Sequence, residues 1–279
     1  MMVMAFLILH DFAIVASANF AVSFAASFEG IFPTAKSDTA NGWWLLVGEA
    51  CRRSWMAIFG VLLLMRLSLF ENLGARKGIN DWDRKPALYL FLAATIVVQV
   101  GFPNIWVGFQ QYPAFVVLTS MLADMSIGVE EEIWFRGVVF LILLRAWGSQ
   151  RSSILTAIFV SSALFGIWHF GNYIYGQPLP ETCMQVVYTF FLGIIFACLY
   201  LISGSIWVPI IAHGVFDFGA SITYLWSSRE GGSGGASDQT FADAFSAYGG
   251  FVALVFVLAI LSLRYLGSIE KDLRAEFDL

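Results

Sequence analysis

The chain has 279 residues, 59% of them hydrophobic and 13% charged, with a formal net charge of −5 and a mean hydropathy of +0.76. That composition excludes an ordinary soluble domain, and the acidic balance leaves no basic surface to neutralise a phosphate backbone, which argues against nucleic acid as a partner. The three cysteines form no C-x-x-C pair, so neither a disulfide framework nor a cysteine metal site is expected.

Apolar runs of about 20 residues, the helical length that crosses about 30 Å of hydrocarbon, predict spans near 3–28, 43–70, 87–109, 114–147, 153–170, 183–203, 205–226 and 244–266. The expected fold is all-α: a polytopic transmembrane helical bundle of about eight spans, forming one membrane-embedded domain over residues 1–279. Lipid offers no partner for backbone N–H and C=O groups, and the runs lack the alternation of barrel strands, so helices are the form expected. The first span has no Lys or Arg ahead of it and is interrupted by His10 and Asp11, which predicts a retained helix and not a cleaved leader. The fourth span is too long for a simple crossing, since 34 residues of helix reach about 51 Å at 1.5 Å per residue. It either protrudes into the cytoplasm or breaks near Gly128.

Basic residues give the orientation. Arg76, Lys77, Arg84 and Lys85 follow span two, Arg145 and Arg151 follow span four, and Arg264, Lys271 and Arg274 close the chain, all on one side. Lys36 and Arg229 fall on the other, so both termini are expected in the cytoplasm. Arg52 and Arg53, at the edge of span two, fit neither side clearly. The Gly- and Ser-rich stretch at 229–240 reads as a flexible connector.

An ionisable side chain at mid-bilayer costs on the order of 2.5–3.5 kcal/mol on insertion scales, so each one needs a partner or a task. Span four carries Asp124, Glu130, Glu131, Glu132 and Arg136; span five ends on His169; span seven carries His213 and Asp217. Glu132 and Arg136 are four apart with the acid first, the order that favours an ion pair along one helix face. Glu131 lies about 100° around the helix from Glu132 and can face a different cavity. Glu130 is then the surplus acid, and Asp124 stands within roughly 20° of the face of Glu131, as a second carboxylate or a polar lining. His213 and Asp217 are one turn apart, so the aspartate can bond an imidazole nitrogen or share a cation with it. Phe165 and His169 are also one turn apart, with the aromatic walling the imidazole from lipid. Each histidine alone would read as a satisfied buried side chain. Two of only three histidines fall on separate spans downstream of a buried glutamate, which favours a common site.

A glutamate and two histidines brought together among helices make a site for activating water: the carboxylate takes the proton, while imidazoles hold a metal or stabilise the oxyanion. No Ser or Cys stands with a base at a spacing that suggests a nucleophile, and the H-E-x-x-H helix of soluble zinc proteases is absent.

The stretches EEIWFR (Glu131, Glu132, Arg136), FGIWH (Phe165, His169) and HGVFD (His213, Asp217) resemble, in order, the E-E-x-x-x-R, F-x-x-x-H and H-x-x-x-N/D motifs of the CAAX protease and bacteriocin-processing family, also called the Abi family. The resemblance covers residues 115–226 as a catalytic core; spans one to three and eight carry no motif. It implies an intramembrane endopeptidase that hydrolyses a peptide bond with a glutamate-activated water. Eukaryotic members of the family trim the last three residues from prenylated C-termini, and prokaryotic relatives are associated with peptide or bacteriocin maturation and self-immunity. By resemblance Glu131 is the general base, assisted by His169. Glu132 and Arg136 shape and charge-balance the site, and His213 and Asp217 face the oxyanion or a metal. A divalent metal such as zinc, on Glu131, His169, His213 and Asp217, is left open. The implied partner is a peptide or protein, membrane-anchored or lipidated, met at the lipid bilayer. One position departs from the prenyl-processing pattern, which has Asn where this chain has Asp217. An ionised carboxylate accepts hydrogen bonds and cannot donate to an oxyanion, so Asp217 fits better as an orienter of His213, a metal ligand or a buried acid. Two rival classes are a non-catalytic peptide-binding or self-immunity membrane protein, and a proton- or cation-coupled transporter using buried acids as relays. The second is weakened by the absence of an inverted repeat.

Overall fold

The computed structural model describes residues 38–75, 110, 114–148, 150–229 and 239–268. Outside them lie the predicted spans at 3–28 and 87–109, His10 and Asp11, the basic residues Lys36, Arg76, Lys77, Arg84, Lys85, Lys271 and Arg274, and most of the 229–240 connector. Among the described residues every regular element is helical: α1 (Asp38–Arg66), a 3-10 turn (Glu71–Leu73), α2 (Ala114–Glu132), a π segment (Ile133–Phe140), α3 (Leu141–Trp147), α4 (Arg151–Trp168), α5 (Gly171–Ile174), α6 (Leu179–Ser203), α7 (Trp207–Arg229) and α8 (Phe241–Ser268). Among the described residues three segments are long and apolar enough to cross a membrane, Arg151–Ile174, Leu179–Ser203 and Phe241–Gly267. The chain is an integral membrane protein of all-α class.

The described residues fall into two compact units, one from those within 1–68, 93–134 and 210–230, the other from those within 69–92, 135–209 and 231–279. In the first, α1 packs along α2. One face of α1 contributes Met56 and Leu64 to the interior, while Trp55, Phe59, Leu62 and Met65 remain exposed, as on a helix whose outer face meets lipid. The indole of Trp134 donates to the carbonyl of Met56 at 3.2 Å and pins the two helices. Helix α7 approaches α2 at two glycines. A Cβ on Gly128 would stand 2.8 Å from both the amide of Gly214 and the carbonyl of Ile210, and one on Gly214 would stand 2.6 Å from the sulfur of Met125. Small residues at such a crossing let backbones approach. Gly128 is thus a point of helix contact and not a break; α2 runs through it unbroken to Glu132.

The departure from α geometry comes later, at Ile133–Phe140, where the hydrogen bonding is π. Bonding from i to i+5 widens the turn, so residues four apart no longer stand over one another as they do at 3.6 residues per turn.

In the second unit α6 is the interior helix. It begins with proline in its first turn, ends on Gly204 in the left-handed conformation (φ 60°), as helix C-termini commonly do, and packs against both α4 and α8. The Tyr200 hydroxyl donates to the carbonyl of Asn72, tying the 3-10 turn to this helix.

Candidate active site

Three consecutive acids on α2 point in three directions, because successive helical side chains are about 100° apart. Glu130 meets α1, where its Oε2 accepts from Nη1 of Arg53 at 2.8 Å. Glu131 is flanked on both sides: its Oε1 lies 3.5 Å from the same Nη1, and its Oε2 lies 3.7 Å from Nε2 of His213. Glu132 meets α7, with Oε1 2.8 Å from Nδ1 of His213. All of these residues belong to the first unit.

His213 is ringed by acceptors. Besides Glu132 and Glu131, Oδ2 of Asp217 is 3.4 Å from Nε2, the one-turn spacing that the sequence pattern predicts. A carboxylate only accepts, so the Nδ1 contact has the ring nitrogen as donor. Carboxylate oxygens facing both ring nitrogens complement an imidazolium, which donates from both. The acids differ in access. Glu131 keeps 10% of its side chain exposed and Asp217 22%, whereas Glu130 keeps 2% and Glu132 none.

Asp124, on the same unit, accepts from the hydroxyl of Ser221 at 2.6 Å and from that of Ser120 at 3.3 Å. It has its own hydroxyl partners and reads as polar lining.

The second unit holds the other two sequence-predicted residues. His169 caps the C-terminus of α4 with its backbone N–H; its Nδ1 bonds the carbonyl of Phe165 at 2.9 Å, and its ring meets the Phe165 ring edge-on at 4.8 Å. That bond assigns the hydrogen to Nδ1 and leaves Nε2 as the basic nitrogen of the neutral ring. Arg136 is fully buried. Its Nη2 donates to the carbonyl of Gly193 at 3.1 Å, and its guanidinium carbon lies 4.5 Å from the Phe165 ring centre and 5.2 Å from that of Phe196.

The structure therefore brings Glu131, Glu132, His213 and Asp217 together in one unit, and in the other sets Arg136 over the Phe165 ring, which also meets His169. The contacts of Glu132 and Arg136 described above run to His213 and to Gly193, Phe165 and Phe196, respectively. Arg136 stands in the π segment, one turn past Glu132 at the end of α2. Sequence reasoning missed Arg53. Its signal was a pair of arginines in an apolar span that the count of cytoplasmic charges could not place, and a buried cation implies a buried partner. Among the described residues no group of three or more His, Cys, Asp or Glu side chains is arranged to hold a metal ion.

Comparison with curated proteins and with solved structures gives no match. A family model does match, over residues 112–219, and its description is Rce1-like, type II CAAX prenyl endopeptidase. All three motif stretches fall inside that segment. Residues 112–219 are thus similar to the Rce1-like type II CAAX prenyl endopeptidase model, in line with the resemblance of the motifs.

Proposed function

We propose that the chain is an intramembrane endopeptidase of the CAAX-processing kind, built on a bundle of about eight spans with both termini cytoplasmic. Glu131 is the base that activates water. The observation that carries this reading is the difference in access along the acid triplet: Glu131 keeps 10% of its side chain accessible, with Oε2 3.7 Å from His213, whereas Glu132 is sealed. A carboxylate that takes a proton from water must be able to meet one.

In the reaction the carboxylate of Glu131 takes a proton from water as the water oxygen attacks the scissile carbonyl. The tetrahedral oxyanion accepts a hydrogen bond from Nε2–H of His213, whose ring is held by Glu132 at Nδ1. Collapse breaks the C–N bond, and Glu131 returns the proton to the leaving amine. Asp217 cannot donate to the oxyanion as a carboxylate; at 3.4 Å from Nε2 it orients the ring. His169 assists and Arg136 balances charge, as the resemblance implies. The substrate class is a peptide or protein held at the membrane, lipidated or anchored.

Comparative profiling of peptide N- and C-termini in membranes carrying wild-type or Glu131→Gln protein tests the reading. Fragments present with the wild type and lost with the variant support it, and identical profiles sink it. Chelator treatment of the reconstituted protein addresses the metal. Cleavage that survives the chelator fits the route above; loss restored by zinc would make the activity metal-dependent, with Glu131, His169, His213 and Asp217 the ligands the resemblance offers.

A further inference from the structure

We propose that Arg53, on α1 and outside the segment that the family model matches, is a positioning residue for Glu131; the inference rests on the reading of Glu131 as the base. Five acids, Asp124, Glu130, Glu131, Glu132 and Asp217, and one imidazole, His213, gather in the first unit, drawn from α2 and α7. From α1 comes Arg53, whose single nitrogen Nη1 lies 2.8 Å from Glu130 and 3.5 Å from Glu131. The unequal distances matter. Glu130 takes the short charge-assisted bond and fixes the guanidinium. Glu131 is left with a looser contact that turns Oε1 toward α1 and Oε2 toward His213.

The seat of Arg53 is built by its own helix. One turn along α1 the carbonyl of Met56 receives the Trp134 indole. One turn further, a Cβ on Gly60 would stand 2.8 Å from the Cγ2 of Ile133. Residues 53, 56 and 60 follow the spacing of one helical face, so α1 presents the cation and the packing that sets its height in the same stripe. On this account Glu130, the surplus acid of the triplet, anchors Arg53, and through Arg53 it holds the base.

A merely structural Arg53 would serve only to neutralise Glu130, and the two roles separate in a pair of substitutions. In Arg53→Met/Glu130→Gln the buried charge pair is removed from both sides, which such sites tolerate. The double variant is expected to unfold near the wild-type temperature yet to cleave a farnesylated Cys-a-a-X peptide in proteoliposomes with kcat lower by about tenfold or more, the scale of a misplaced catalytic group, and with KM little changed. Arg53→Lys, which keeps the cation, is expected to recover most of the rate. Wild-type kcat in the double variant would overturn the inference. Should that variant fail to fold, Glu130→Gln alone decides: Arg53 then pairs with Glu131 and draws it from His213, so kcat falls, and an unchanged kcat counts against the inference. Glu131→Gln run beside them separates the two levels. If it cleaves as well as the wild type, or if the wild type cleaves nothing, the reading of the base fails; if it alone is inactive while every Arg53 and Glu130 variant is normal, only the positioning role fails.

Discussion

Arg53 and Arg136 are both cations inside apolar helices, and they are accommodated in different ways. Arg136, in the second unit, is sealed, with a backbone carbonyl at 3.1 Å and phenylalanine rings on its guanidinium. Arg53, in the first unit, keeps 19% of its side chain exposed and sits against two carboxylates. An arginine held by rings and a carbonyl fixes the packing of its neighbours; an arginine shared between two acids sets where those acids point. The difference predicts that Arg136 weighs on stability as well as on the charge balance proposed for it, and Arg53 chiefly on turnover.

The largest effect expected is therefore for Arg136→Ala. It loses a hydrogen bond from a charged donor and two ring contacts, and it opens a cavity, for a destabilisation of about 3 kcal/mol or more, read as thermal unfolding in detergent. Arg53→Met/Glu130→Gln, which removes the Arg53–Glu130 pair from both sides, should unfold closer to the wild type; the reverse order would break the comparison. Next comes Gly128→Val, which drives a side chain into the α7 backbone 2.8 Å away. Overpacking of this kind costs about 1–3 kcal/mol, and because it separates Glu132 from His213, cleavage should fall with it. A smaller effect is expected for Glu132→Gln, whose amide oxygen still accepts from Nδ1 of His213 but without the charge that doubles the strength of such a bond. A tenfold fall in kcat, about 1.4 kcal/mol, with KM unchanged would sharpen the account, and an unaltered kcat would detach Glu132 from the chemistry. Least of all should Asp124→Asn matter, since the Ser221 hydroxyl keeps an acceptor. A stability change under about 1 kcal/mol and near-normal cleavage are expected, and a large loss of activity would bring Asp124 into the site.

Much of this arrangement was legible along the chain because it is local. Helical class followed from apolar run length, and the His213–Asp217 and Phe165–His169 contacts followed from one-turn spacing. What escaped was set by partners far away in sequence or by hydrogen bonding that side-chain patterns do not record. Glu130 looked surplus because its cation, Arg53, is 77 residues distant. Glu132 also reaches Nδ1 of His213 at 2.8 Å, a partner 81 residues away that spacing along one helix does not record, and the backbone carrying Arg136 turns π. Gly128 suggested a break from its composition alone; only the approach of Gly214 reveals it as a crossing point.

The account turns on Glu131 as the acceptor of the water proton. Its most direct measurement is single-turnover cleavage by reconstituted wild-type and Glu131→Gln protein on one peptide, with binding followed in parallel. Binding retained and a cleavage rate lower by at least about 10²-fold, the scale of a lost general base, is the result predicted; equal cleavage rates for the two proteins would contradict it.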